Sequence, residues 1–246
     1  MNTEKIKVVA FDADDTLWDC QGHFERVMQR LYDELLPWTG TRDEAARQLF
    51  ATERKNMPLL GFGTKAFTLS MIETALRVSN YEMPASKINE IQQLCYTLNE
   101  FPCTPLPEVE ETLRQLHSDH GNGSIETANA LGRTVPMVCF TKGELLDQEH
   151  KLQRSGLARY FDDVVITSDK TQREFLQLCD RYDIHPSQLL MVGNSLKSDI
   201  APALAIGAWA VYIPFHVTWE LEHTDHFEHP RMVQIDHFGQ LLSLLR

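Results

Sequence analysis

The sequence predicts an α/β fold: a doubly wound, mainly parallel sheet, interrupted after its first strand by an inserted α-helical segment. Three observations predict it. Residues 6–11, IKVVAF, form a β-branched and apolar run that stops at a cluster of acids. Residues from about 19 to 100 carry apolar side chains at intervals of three and four, the helical rhythm, with no strand between them. After Pro102, short apolar runs alternate with helical patterns. Repeated β–α alternation implies parallel strands with helices on both faces.

The elements follow in order. Residues 6–11 read as a buried strand. The helical stretch shows Phe24, Val27, Leu31 and Leu35, then Phe67, Met71, Ile72 and Ala75, then Ile88, Ile91, Leu94 and Leu98. Breaks near residues 37–40, 58–63 and 80–84, each holding Pro, Gly or Asn, divide it into roughly four helices. Pro102, Pro105 and Pro107 punctuate a linker. A helix is expected over 109–116, a strand over 135–140 and a helix over 145–154. Strand and helix then alternate at 164–167 and 171–181, and again at 189–192 and 199–205. Strands at 208–213 and 232–235 precede a terminal helix. His120 to Arg133, with Gly121, Asn122, Gly123 and Gly132, reads as a surface insertion.

Composition narrows the function classes. A chain of 246 residues holds one large domain, or a core with a smaller inserted one. Its 43% hydrophobic and 24% charged residues suit a globular protein and exclude disordered and fibrous classes. Apolar runs such as 205–214 fall far short of the roughly 20 residues that span a bilayer. The N-terminus lacks a signal-peptide layout, so the expectation is a cytoplasmic protein without a membrane partner. Five cysteines, an odd number with no CxxC spacing, read as free thiols rather than a disulfide framework or zinc site. A net charge of −12 without a Lys/Arg run argues against a nucleic acid polymer as partner. It leaves room for a small phosphorylated metabolite, because a metal and one or two cations can reverse the potential inside one cleft.

Four segments carry chemistry, each just after an expected strand. Ligands of an open parallel sheet bind outside the carboxyl ends of its strands. The first segment is Asp12-Ala13-Asp14-Asp15-Thr16. Carboxylates clustered there repel one another unless a cation compensates. A carboxylate such as Asp12 can attack phosphorus, and a second such as Asp14 can protonate the leaving oxygen and then activate water. The second segment is Thr141-Lys142-Gly143, a hydroxyl and free backbone N–H groups where a helix begins, which suit an anion. The third is Lys170, able to neutralise both a phosphate and a nucleophilic carboxylate, with Lys142 the weaker candidate for that task. The fourth runs Gly193-Asn194-Ser195, then Ser198-Asp199. Oxygen ligands from Asn194 and Asp199, together with Asp12, suit a hard cation such as Mg²⁺.

The order Asp12-x-Asp14-x-Thr16, strand-Thr141, Lys170, Gly193-Asn194-(x)4-Asp199 resembles the four motifs of the haloacid dehalogenase superfamily. The resemblance implies a Rossmann-like catalytic core, residues 1–18 and 102–246, and a helical cap domain, residues 19–101. It implies a Mg²⁺-dependent phosphatase. Asp12 is then nucleophile and metal ligand. Asp14 is general acid/base and ligates the metal through its main-chain carbonyl. Thr141 and Lys170, with Lys142 beside them, hold the phosphoryl group. Asn194 and Asp199 complete the metal site, and Thr16 and Ser198 support it. One departure stands out: the fourth motif usually begins Gly-Asp, and Gly193-Asn194 carries one negative charge fewer.

Other readings remain open from sequence. A phosphomutase keeps the Asp-x-Asp spacing, whereas a dehalogenase does not need Asp14. A non-catalytic binding protein could keep the fold, and Asn194 favours that reading. His216, His223, His226, His229 and His237 are expected on a solvated surface tail with at most one facing the core. Trp18, Trp38, Phe62 and Phe67 are read first as core and second as pocket lining. Gly61-Phe62-Gly63 is a candidate specificity loop. A monomer is the default, with a homodimer possible.

Overall fold

The computed structural model describes residues 5–117 and 135–245, so the insertion expected at 120–133 lies outside the described residues. Six strands form one sheet: β1 (Val8–Phe11), β2 (Met137–Lys142), β3 (Asp163–Thr167), β4 (Leu189–Gly193), β5 (Trp209–Tyr212) and β6 (Met232–Gln234). Their order is β3-β2-β1-β4-β5-β6, and every neighbouring pair is parallel. The chain turns to one side of β1 for β2 and β3, and to the other for β4 to β6. That reversal opens a crevice at the carboxyl ends of β1, β2 and β4.

Between β1 and β2 lie four long helices, α1 (Gln21–Thr39), α2 (Arg42–Leu60), α3 (Thr64–Val78) and α4 (Ala85–Tyr96). Their ends fall at the three breaks read from sequence. Gly40, at φ 76°, closes α1 by donating its N–H to Leu36 O, and Thr41 caps α2 by accepting from Glu44 N. Pro37 and Pro58 ride inside α1 and α2 near their C-terminal ends rather than stopping them. The four helices share a core of their own, with Leu31, Leu35, Leu49, Met71 and Ile91 buried. Each such side chain contributes roughly 1.5–3 kcal/mol on burial.

The remaining helices cover the sheet. On one face α5 (Val109–Leu116), α6 (Leu145–Ser155) and α9 (Leu241–Leu245) pack Leu113, Leu152 and Leu241 against Val9 and Phe11. On the other, α7 (Gln172–Arg181) and α8 (Ala201–Ala205) pack Phe175 and Ala203 against Val8 and Ala10. The period-two alternation of β1 therefore serves two cores. Phe24 of α1 packs against both the sheet core and the helical core. All five cysteines are free and buried. Among the described residues no helix is long and apolar enough to cross a membrane.

One boundary differs from expectation in a way that matters. The helix expected from residue 199 starts at Ala201, and a wide π turn over Leu196–Ile200 precedes it. Pro202, at the start of α8, suits a helix beginning there. Within this turn Leu196, Ser198, Asp199 and Ile200 are all buried.

Candidate active site

The floor of the crevice begins where β1 ends. Asp12 N–H still donates to Val192 O of β4 at 2.9 Å, as though the strand continued. The chain then coils back at Asp15, whose φ of 63° is in the left-handed region, and Leu17 N–H donates to Ala13 O. Asp15 earns this conformation by capping α1: its Oδ1 accepts from Cys20 N and Gln21 N, both at 2.8 Å. Burial pushes its carboxyl up to about 7. Thr16 Oγ1 donates to Asp12 Oδ2 at 3.0 Å.

Lys170 closes the opposite side of Asp12. It follows β3 and precedes α7, whose start is fixed by a capping box between Thr171 and Glu174. Its buried Nζ donates to Asp12 Oδ1 at 2.5 Å and to Asp199 Oδ1 at 2.7 Å. Burial alone would favour the neutral amine, but the two carboxylates hold its pKa above the ordinary lysine value. One ammonium serves two acids. Asp12 is accordingly pushed up to about 7, first by burial and then by Asp199, with Lys170 opposing both.

The loop after β4 supplies the third wall. Asp199 Oδ2 accepts from Ser195 N at 2.9 Å. This packing requires a glycine at 193, because a Cβ there would lie 2.5 Å from Asp199 Cγ and 2.8 Å from its Cβ. One terminal atom of the Asn194 amide lies 3.1 Å from Thr16 Oγ1, 3.2 Å from Asp12 Oδ2 and 3.3 Å from the Asp14 carbonyl oxygen. With its nitrogen inward, the amide satisfies those acceptors. With its carbonyl inward, it completes an all-oxygen set. Such a set suits a hard divalent cation, so the residues present fit Mg²⁺. Asp199 stands behind this cluster, with one oxygen on Lys170 and the other on Ser195.

Asp14 is clamped from three sides. Its Oδ1 accepts from Trp18 Nε1 at 2.8 Å, and its Oδ2 from Gln148 Nε2 at 2.8 Å and Lys151 Nζ at 2.9 Å. Burial works to raise its pKa, but Lys151 and these hydrogen bonds overcome burial and hold it below the ordinary carboxylate value. Gln148 and Lys151 both lie on α6, whose N-cap is Glu144. Thr141, at the end of β2, is buried and its hydroxyl is not used to cap that helix. Gly143, at φ 148°, leaves room for Gln148, whose Cγ would lie 3.1 Å from an added Cβ.

Lys142 is committed elsewhere. It forms an ion pair with Glu222, donates to Ser198 Oγ at 2.6 Å, and sits 4.0 Å above the Phe62 ring. Glu222 also accepts from Ser195 Oγ and Ser198 Oγ, each at 2.6 Å. The segment carrying Glu222 also brings Trp219 edge-to-face against Phe62, 6.0 Å between centroids. The histidines expected on a solvated tail are exposed, apart from the half-buried His229, and none of them joins a group of three His, Cys, Asp or Glu side chains placed to hold a metal among the described residues. That segment is nevertheless no mere tail, because Glu222 and Trp219 wall the crevice. Trp18 is core, Trp38 is partly exposed, and Phe62 and Phe67 line the crevice.

The structure brings Asp12, Asp14, Thr141, Lys142, Lys170, Asn194, Ser198 and Asp199 around one cavity of about 170 Å³, with Thr16 directly behind Asp12. Sequence reading missed Asp15, Gln148, Lys151 and Glu222. A signal existed for two of them: Gln148 and Lys151 share the Leu152 side of a helix that starts beside the site, so polar groups there face inward. Glu222, in a single 3₁₀ turn over Glu220–Glu222, carried no such signal.

Comparison with known proteins agrees with this architecture. The family model of haloacid dehalogenase-like hydrolases matches residues 6–207. The chain is 22% identical over 219 residues to N-acylneuraminate-9-phosphatase of Rattus norvegicus, covering 84% of this chain and 82% of that one. It is 27% identical over 256 residues to glyceraldehyde 3-phosphate phosphatase of Methanothermobacter thermautotrophicus, covering 98% of this chain and all (100%) of that one. A solved haloacid dehalogenase-like family hydrolase from Xanthomonas campestris superposes with a TM-score of 0.82 at 27% identity, over 98% of this chain and 91% of that one. The family match spans most of the sequence and the strands β1 to β4 that carry the site, and the chain belongs to the haloacid dehalogenase-like hydrolases.

Proposed function

We propose that the chain is a Mg²⁺-dependent phosphomonoester hydrolase that works through an aspartyl-phosphate on Asp12. The observation that carries this reading is the Asp12–Lys170–Asp199 arrangement at the strand ends, with Lys170 Nζ 2.5 Å from Asp12 Oδ1. The relatives named as phosphatases support it. Residues 1–18 and 102–246 serve as the catalytic core, and residues 19–101 serve as a cap that supplies the walls beyond the reacting group.

Asp12 attacks phosphorus, and Lys170 and Thr141 hold the transferring oxygens. Lys170 keeps Asp12 oriented and reduces its repulsion from the anionic substrate. Asp14 protonates the leaving alcohol, and then takes a proton from the water that hydrolyses the aspartyl-phosphate. Such acid–base help is worth about 10²–10⁴ in rate. The charge of the entering phosphate raises the proton affinity of Asp14, against the hold of Lys151. Mg²⁺, held by Asp12, the Asp14 carbonyl and Asn194 with Asp199 behind them, supplies screening of negative charge when bound.

The substrate class of this reading is a small phosphorylated metabolite, in keeping with the names of the relatives N-acylneuraminate-9-phosphatase and glyceraldehyde 3-phosphate phosphatase. Five unpaired buried cysteines fit a reducing compartment such as the cytoplasm. The test is phosphate release from p-nitrophenyl phosphate with Mg²⁺ and with EDTA, in wild type and Asp12→Asn. Turnover that needs the metal and disappears in the variant is expected. Equal rates in the two proteins would remove Asp12 as nucleophile.

A further inference from the structure

Glu53 lies on α2 and lines the helical end of the cavity that holds Asp12 at its floor. Its side chain belongs to a residue only 7% exposed. Among the described residues it accepts no hydrogen bond and makes no ion pair, and the one charge that perturbs it is a second acid, Glu220. Its neighbours on α2 are spoken for: Asn56 donates to Ser70 and Glu73, and Lys55 pairs with Glu73. The same cavity is lined by Phe24, Met28, Phe67 and Trp219, and Tyr32 is near enough for its phenol to be raised partly by Glu53. Burial and Glu220 together push the carboxyl up to about 7.

An acid buried for structural reasons is normally paired or hydrogen-bonded, because an unpartnered one is costly. Here the missing donor can come from the cavity. A ligand hydroxyl or amine supplies a proton to the carboxylate oxygens. A second phosphate or a carboxylate at that end would meet Glu53 with Glu220 nearby. We infer that Glu53 determines specificity for the leaving-group half of the substrate: it accepts a hydrogen bond from a hydroxyl or ammonium on a small phosphomonoester, and it rejects substrates with a second anionic group there. This rests on the phosphatase reading above and narrows it to small polyol or amino-alcohol phosphates.

The test compares kcat/KM for three probes of one size: sn-glycerol 3-phosphate, with free hydroxyls; propyl phosphate, with none; and 3-phosphoglycerate, with a carboxylate. Each is measured in wild type, Glu53→Gln and Glu53→Leu, with p-nitrophenyl phosphate alongside. Wild type is expected to favour glycerol phosphate over propyl phosphate by about tenfold or more, and over 3-phosphoglycerate by more still. Glu53→Leu should bring glycerol phosphate and propyl phosphate close to parity. Glu53→Gln, whose amide can donate to a carboxylate, should reduce the discrimination against 3-phosphoglycerate by about tenfold. Ratios between substrates in one sample do not depend on the folded fraction, so loss of stability cannot imitate the result. Turnover of p-nitrophenyl phosphate with the same ratios in all three proteins overturns this inference alone. Hydrolysis of none of the phosphomonoesters by wild type overturns the phosphatase reading, and this inference falls with it.

Discussion

Lys151 Nζ lies 2.9 Å from Asp14 Oδ2, joining an acid on the first loop of the sheet to a lysine 137 residues later on α6. Lys151 is buried, and its other carboxylate partner, Asp147, lies 3.2 Å away on the same helix. The pair fixes the Asp14 side chain in the cavity and holds its pKa below the ordinary carboxylate value, a hold that the charge of a bound phosphate opposes. Four predictions follow from this and the neighbouring contacts.

Replacing Lys151 by Met leaves Asp14 and Asp147 without their shared cation in a buried setting. Removing one partner of a buried pair costs about 3–5 kcal/mol. Urea unfolding should show a loss of that size for Lys151→Met. Adding Asp147→Asn, which removes one of the stranded charges, should recover part of it. A double variant no more stable than the single one would mean that Asp147 plays no part in the coupling.

Gly193→Ala forces a methyl group against Asp199, whose Cγ would be 2.5 Å away. Asp199 must then move, and Lys170 loses one of its two anchors. Turnover should fall by about 10²-fold, the penalty for a displacement near 1 Å at a positioned group, while the overall fold survives. Steady-state rates together with far-ultraviolet circular dichroism check it. A variant with wild-type turnover would show that the position of Asp199 does not matter to the reaction.

Asn194→Asp places another negative charge beside Asp12 and the Asp14 carbonyl. More ligand charge tightens a hard-cation site, here by about tenfold or more. Without a cation the same change adds repulsion among carboxylates. The variant should therefore bind Mg²⁺ more tightly in a calorimetric titration and unfold at a lower temperature in EDTA. An unchanged affinity would separate Asn194 from the metal.

Glu53→Gln should stabilise the fold, and more so at high pH. The folded carboxyl is raised to about 7 from its ordinary 4.5. Between those values the folded chain keeps a proton that the unfolded chain gives up. Wild-type stability attributable to Glu53 therefore falls as pH rises through that window. The advantage of Glu53→Gln over wild type should grow from pH 5 to pH 8, by at most about 3 kcal/mol. Denaturant midpoints at the two pH values measure it, and a gap that is the same at both would mean that the acid is not desolvated.

Much of the architecture was legible in the sequence by itself. Short β-branched and apolar runs located all six strands, the spacing of Leu31, Met71 and Ile91 located the inserted helices, and glycines and prolines marked their ends. The acids and cations after β1, β2, β3 and β4 stood out because strand ends of a parallel sheet share one edge, so sequence position alone brought Asp12, Lys170 and Asp199 near each other. These are local signals, set by short apolar runs bounded by turn residues and by the helical period of 3.6 residues. The tertiary structure alone decided the pairings between distant segments: Lys151 with Asp14, Glu222 with Lys142 and Ser198, and Glu53 without a hydrogen-bond or ion-pair partner among the described residues. It also decided the π turn in which Ser198 and Asp199 are both buried. Such choices depend on how each helix is rotated and seated on its neighbours, and that follows from the packing of whole cores rather than from any short stretch of chain.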